Sequence, residues 1–479
     1  MNAKLQQTVL FLAAGISIWP TFAYSFDFPY LFKDPLYSMP DVIQKGAILP
    51  GDSTPIPHGV QKDFTQPLTL YEAVDLALAN NPKIKGAWAD IKVQAGTLGE
   101  AYTTYLPSIN GALNWTNDNI HYSNSRYHST DTNRYNGQVT ATLRLLDFGG
   151  RNANRHYAEK LLAAAISSYD ATLQDALSEI VQAYFDAMTA SASLTAKIKD
   201  EEVARNTLHS AQEREAKGVV SQSDTLRATT ALARASLDKY RAQGEYQKSL
   251  AVLGRSLGLK SDIKFILPPE LTEQQNTTLP INNLTIWLDE AQKAHPAIIA
   301  ARKQLEAAQE QVTVTKSAGL PSIGLSGNYY KNTRPGEAVT PGTTETTVVV
   351  ALSIPLFDGF SSTYKLRGAQ ARVEKQAAAL FDKEQQVAMD IIKAYASAVS
   401  SMGNLGASVV LLESAQKALA VSQRKYDKGA ADITEILSTQ ADLANAMNER
   451  VRCLAEWHAS QLQLLASAGK MGRFAVKGP

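Results

Sequence analysis

The chain has 479 residues, enough for more than one domain, and its 47 Lys and Arg against 46 Asp and Glu leave a net charge of +1. That balance excludes the basic stripe of a nucleic-acid binder. With Cys453 as the single cysteine no intrachain disulfide can form, and its helical surroundings read as those of a small buried apolar residue.

The N-terminus, MNAKLQQTVLFLAAGISIWPTFAYS, places Lys4 ahead of an apolar run and predicts a signal peptide over residues 1–25, cleaved after Ala23 or Ser25. Gln6, Gln7 and Pro20 interrupt the run and argue against a spanning anchor. No later stretch approaches the roughly 18 consecutive apolar residues of a spanning helix, so an exported chain that enters a membrane must do so with strands. Residues 26–67 are rich in proline and lack periodicity, which predicts an extended strap.

The segment from 68 onward is written twice. Pro82 and Pro296 lie 214 positions apart, as do Pro107 and Pro321 in the two LPSI segments, and a shared spacing of this kind marks a duplicated block. In the first copy, LTLYEAVDLALANNP predicts a short helix and the stretch from about Lys83 to Tyr105 a second one. Val139, Ala141, Leu143 and Leu145 then alternate with polar residues, the period-2 pattern of a strand, and Ile109, Leu113 and Trp115 mark its partner. A helical pattern without proline runs from Arg151 to Lys217, with Ile166, Leu173, Leu177, Ile180 and Tyr184 at coiled-coil steps; such a helix would be on the order of 100 Å long. The chain turns at Gly218 and returns as a helix to about Leu257. Residues 259–283 read as a linker.

The second copy repeats this plan. Val348, Val350, Leu352 and Ile354 line one strand, Ile323, Leu325 and Tyr329 the other, a long helix starts at about Ser362, and Gly429 turns it back toward Ala468. The predicted organisation is therefore repeat 1 over 68–258 with a hairpin at about 108–146, repeat 2 over 284–469 with a hairpin at about 322–356, and a tail over 470–479. Four strands cannot close a barrel alone, because open edges leave backbone groups unpaired in lipid; three chains would supply an even twelve. The competing architecture is a soluble helical bundle with two surface hairpins, against which stand the signal peptide and the aromatics near the strand ends.

No enzyme chemistry is visible. GRSLG at 254–258 matches a nucleophile elbow but ends a helix instead of joining strand to helix, and DFG at 147–149 lacks every companion kinase motif. The seven histidines are scattered without ligand spacing, so neither a metal nor a cofactor is indicated.

The doubled block, with LTLYEAVDLALANNP, LPSI, PLFDG and the turn segments KGVVSQSDTL and KGAADITEIL, resembles the TolC family of outer-membrane factors over about Leu68 to Gly469. The resemblance implies an α+β membrane protein, a homotrimer that pools a 12-stranded transmembrane β-barrel in outer-membrane lipid and a long α-helical coiled-coil barrel in the periplasm. It further implies two kinds of partner, a periplasmic adaptor protein and an inner-membrane pump of RND, MFS or ABC type. By matched position it puts Gly218, Val219 and Val220, with Gly429, Ala430 and Ala431, on adaptor-contacting tips, and Asp224, Glu435 and Tyr426 at a pore constriction. Ala431 stands where the family has a basic latch residue and Ser438 where it has a second acid, so any latch here uses other partners. SQSD (Ser221–Asp224) and DITE (Asp432–Glu435) equally fit capping boxes in which the acid only starts a helix. The functional expectation is an exit duct for drug or metabolite efflux; the alternatives are the same duct in type I protein secretion, or a coiled-coil envelope scaffold or adhesin without a channel.

Overall fold

The computed structural model describes residues 34–52, 54–56, 64, 66–121, 123, 130–218, 221–260, 265–268, 283–333, 343–428, 430 and 433–473. The expected signal peptide and most of the expected linker lie outside them, as do Val219, Val220, Gly429 and Ala431.

Each repeat opens with a short helix capped by its own sequence. In repeat 1, after a one-turn helix α1 (Asp41–Lys45), Thr69 and Glu72 form a capping box at the start of α2 (Leu70–Asn80), and Asn81 caps α3 (Pro82–Thr103) by accepting from Lys83 N at 2.8 Å. Strands β1 (Ser108–Ile120) and β2 (Thr130–Leu146) lead to α4 (Gly150–Ala216) and the return helix α5 (Gln222–Ser256). Repeat 2 runs α6 (Leu284–Ala294), α7 (Pro296–Ser317), β3 (Ser322–Thr333), β4 (Thr343–Ser353), α8 (Ser361–Asp427) and α9 (Ile433–Ser467). The second and later helices have the same lengths in both copies: 22 residues for α3 and α7, 67 for α4 and α8, 35 for α5 and α9.

These lengths explain the packing. A 67-residue helix is about 100 Å long, and neither a 22-residue nor a 35-residue helix can cover it. Along α4, α3 and α5 line one side, and α7 and α9 the other; α8 packs on the far side of α7 and α9. The protomer is thus a wall of four columns with two open sides. One open side, on α3 and α5, exposes Val93, Leu237, Tyr240 and Val252; the other, on α8, exposes Ile392, Val399, Met402 and Val410. This exposed face gives α8 a window as apolar as a spanning helix, within an element far longer than a bilayer is thick.

All four strands form one antiparallel sheet in the order β1-β2-β3-β4, so the two hairpins are joined by pairing of β2 with β3, which the sequence reading left separate. The register puts Ile109, Leu113, Trp115, Tyr135, Val139, Ala141, Tyr329, Leu325, Val348, Val350 and Leu352 on one face. The other face carries Asn110, Thr140, Gln138, Asn328 and Thr347, an apolar-out, polar-in alternation. A bulge between Arg144 and Leu146 bends the end of β2, and Arg151 holds it by donating to Arg144 O at 2.6 Å and Leu145 O at 2.9 Å.

The main core lies where the short helices meet the long ones. Tyr184 donates to Leu68 O at 3.0 Å, and Leu68 N donates to Ile266 O at 2.8 Å, tying the inter-repeat segment to repeat 1. Gly258 ends its return helix in the left-handed region, and a Cβ there would meet Asn80 O at 2.6 Å. Gly469 does the same job 211 positions later against Pro296 Cδ, so the last glycine of GRSLG serves helix termination. Arg473 closes this zone. It donates to Asp52 Oδ2 at 2.8 Å and Thr54 O at 2.6 Å and approaches Asp75 Oδ1 at 3.6 Å, the three charged side chains being nearly buried.

Two predictions follow from this zone. Arg473→Ala leaves Asp52 and Asp75 buried without their cation, and burial already pushes the Asp75 carboxyl upward. The variant is expected to lose roughly 3–5 kcal/mol in denaturant unfolding, with Arg473→Lys recovering part of it; an unchanged midpoint for the alanine variant would refute the clasp. The second concerns His295, which caps α7 by accepting from Ala297 N at 3.2 Å through Nδ1, the position Asn81 fills in repeat 1. Burial, aided by nearby Lys383, lowers its pKa below 6.5, so in acid the unfolded chain takes the proton first and stability falls as pH drops below 6.5. His295→Asn keeps a cap and does not titrate. Its melting temperature relative to wild type should rise steadily as pH is taken from above 7 to about 5, and a constant difference would contradict the account.

Candidate functional site: the helical tips

The far ends of the long helices form a second, small core separate from the first: Ala211, Ala228, Tyr426, Ile433 and Ile436, with Leu208 and Leu437 against them. Its members come from α4, α5, α8 and α9, so the two helical hairpins are joined to each other at their tips.

In repeat 1, Gly218 adopts φ +71°, which lets the chain reverse after α4, and its N–H donates to Glu215 O at 2.8 Å. Asp224 lies in the first turn of α5; its Oδ2 accepts from Ser221 Oγ at 3.2 Å and from Ser221 N at 3.4 Å. The capping geometry read from SQSD is therefore present. In repeat 2, Ala430 N donates to Lys425 O at 2.8 Å as α8 ends. Glu435, in the first turn of α9, accepts from Ser422 Oγ and from Lys425 Nζ, both at 3.1 Å. It thus links the two helices of its own hairpin, a bond that a cap alone would not make.

Tyr426 is buried, and the Arg214 guanidinium sits over its ring at 4.1 Å from the centroid while donating to Tyr426 O at 3.4 Å. Arg227 Nη1 donating to Thr434 Oγ1 and Gln440 Nε2 donating to Thr207 Oγ1, each at 3.2 Å, add two further bonds between the hairpins. The structure thus brings Tyr426 and Glu435 into one neighbourhood and leaves Asp224 on its own box. Arg214 and Lys425 were missed from sequence. They lie 211 positions apart, each four residues before a tip glycine, so the repeat spacing held the signal.

Both copies of the doubled block match a known family model, the outer membrane efflux protein family, over residues 73–259 and 287–470. The chain belongs to this family. It is 32% identical to protein CyaE of Bordetella pertussis over 467 residues, covering 97% of each chain. It is 23% identical to the alkaline protease secretion protein AprF of Pseudomonas aeruginosa, covering 84% of each. The Campylobacter jejuni CmeC outer membrane channel has the same fold, with a TM-score of 0.75 and 16% identity over 89% of this chain and 96% of that one. This family member is an outer-membrane channel of the Gram-negative envelope and not an enzyme.

Proposed function

We propose that the chain forms the outer-membrane exit duct of a type I protein secretion system, as a homotrimer working with a periplasmic adaptor and an inner-membrane pump. The observation that carries the protein cargo is likeness along nearly the full length to CyaE together with likeness to AprF, whose name states protease secretion. Drug or metabolite efflux, the first expectation from sequence, has weaker support of this kind. The trimer reading is supported by the wall with two open sides and by the open edges β1 and β4: a copy's β4 can pair with its neighbour's β1, and three copies give a closed barrel without unpaired backbone in lipid.

In this reading the tips are the gate. The Arg214–Tyr426 contact holds the two hairpins together, the Glu435–Lys425 pair braces the second hairpin within itself, and an adaptor engaging Gly218, Val219, Val220, Gly429, Ala430 and Ala431 would release them. In the closed tip Tyr426, Asp224 and Glu435 would ring the constriction, where three copies of each carboxylate focus a negative field on one axis.

Deleting the gene is expected to remove one or more large proteins from the culture supernatant while leaving drug susceptibility unchanged; the reverse outcome would return the duct to drug efflux. For the constriction, reversal potentials in planar bilayers under a salt gradient should show cation selectivity in the wild type. The Glu435→Gln and Asp224→Asn double variant should lose most of it with little change in melting temperature, and equal selectivity would remove the pore role.

A further inference from the structure

The turns that join strands to long helices are built alike in the two repeats but are dressed differently. Asp147 and Asp358 lie 211 positions apart, and each accepts from the backbone N–H four residues on, Arg151 N at 2.8 Å and Ser362 N at 2.7 Å. Two consecutive residues then take positive φ, Phe148 and Gly149 in one repeat and Gly359 and Phe360 in the other. A phenylalanine therefore holds a backbone conformation that favours glycine in both copies, and in both its ring is exposed.

The second corner carries an unbroken exposed stripe. Val348, Val350 and Leu352 on β4 are continued in step by Ile354 and Leu356, the last 91% exposed, beyond the end of the strand. Phe357 and Phe360, 76% and 62% exposed, pack edge to face with ring centroids 5.4 Å apart. One helical turn on comes Tyr364, 68% exposed, with the Arg367 guanidinium 5.8 Å from its ring centroid. The helical spacing 360, 364, 367 keeps Phe360, Tyr364 and Arg367 on one face, Phe357 joins them through its ring contact with Phe360, and polarity rises from phenylalanine to tyrosine to arginine. From Phe360 to Arg367 the helix advances about 10 Å, the depth over which a bilayer passes from acyl chain to headgroup.

Among the described residues neither Lys365 nor Arg367 makes an ion pair within 4.0 Å. Asp358, the carboxylate that senses Lys365, is already bonded to Ser362 N, and Arg367 contacts the Tyr364 ring. In repeat 1 the equivalent positions are Asn154 and His156, and the nearby arginines are used internally: Arg151 on Asp147 and the β2 carbonyls, Arg155 on Glu159 at 3.5 Å.

We propose that the strand-to-helix corner of repeat 2 is a docking surface for the inner leaflet of the outer membrane, in which Leu356, Phe357 and Phe360 enter the acyl layer and Lys365 and Arg367 hold the headgroup of an anionic phospholipid. Continuity with the apolar stripe of β4, the graded polarity, and two cations outside any close ion pair among the described residues favour this occupant. The inference depends on the outer-membrane channel and not on its cargo. It assigns one such site per chain, in repeat 2 only.

The test places an indole at the boundary, Tyr364→Trp, in a chain also carrying Trp115→Phe so that the native lipid-facing indole is gone. The assembled channel is reconstituted into phosphatidylethanolamine vesicles containing phosphatidylglycerol, and one or the other lipid is brominated. Fluorescence of the new indole should be quenched, and brominated phosphatidylglycerol should quench more effectively than brominated phosphatidylethanolamine, by about fivefold for each cation engaged. Lys365→Gln with Arg367→Gln should bring the two lipids level while the assembly keeps its dissociation temperature. On the otherwise unaltered channel, phosphatidylglycerol should raise that temperature more than phosphatidylethanolamine does, and the two Gln changes should abolish the difference. Absence of quenching, equal quenching before the Gln changes, or disassembly caused by them would each overturn the proposal, the last because the cations would then be pairing with a neighbouring copy.

Discussion

A backbone that crosses lipid must satisfy every N–H and C=O within protein, and a sheet with two free edges cannot do so. That constraint organises the molecule. The protomer carries half-finished surfaces at both levels: β1 and β4 at the edges of the sheet, and the α3/α5 column and α8 at the edges of the helical wall. The apolar residues left exposed on α8 and on α5 are side chains awaiting a neighbour, in the same sense as the unpaired edges. Identical helix lengths in the two repeats keep these edges level, so that each can meet its counterpart over the full height of the wall.

Between sheet and tips, different forces dominate at different heights. The zone around Tyr184, Leu177 and Ile180 is held by burial of large side chains, each contributing roughly 1.5–3 kcal/mol, and is cross-braced by hydrogen bonds to segments distant in sequence. Toward the tips the apolar contacts thin to a few residues, and polar links such as Arg227 to Thr434 and Arg214 to Tyr426 take over. Such links are individually weak, so the tips are the part of the structure that a binding partner can rearrange at least cost.

The architecture was largely legible because two periodicities are written plainly. Val139, Ala141 and Leu143 alternate since one face of the sheet meets polar surroundings, and the proline-free run after Arg151 can only be one long helix. The repeat spacing made each copy a check on the other. The pairing of β2 with β3 was not legible, because the alternation says which face is apolar and nothing about which edge meets which. Arg473 was invisible for a related reason: its partner Asp52 lies 421 positions away, and no local pattern signals a contact of that range. At the tips, the capping box at Ser221 was readable from a four-residue window. Glu435 reaching Lys425, and Arg214 covering Tyr426, required knowing how helices ten or more residues apart in the chain face one another. The pairs SQSD and DITE look alike in sequence, and only the fold separates a box that stays local from an acid that bridges two helices.

The clasp at Arg473 also imposes an order of events. A secreted polypeptide emerges with its N-terminal side first, so Asp52 and Thr54 leave the translocon long before the arginine that binds them. Until that residue arrives, Asp52 and Thr54 are without its hydrogen bonds, and Asp75 lacks its counter-charge. The middle of the molecule is therefore completed last, after both hairpins and both long helices are already outside the inner membrane. A chain in that interval carries open strand edges and an unfinished waist at the same time.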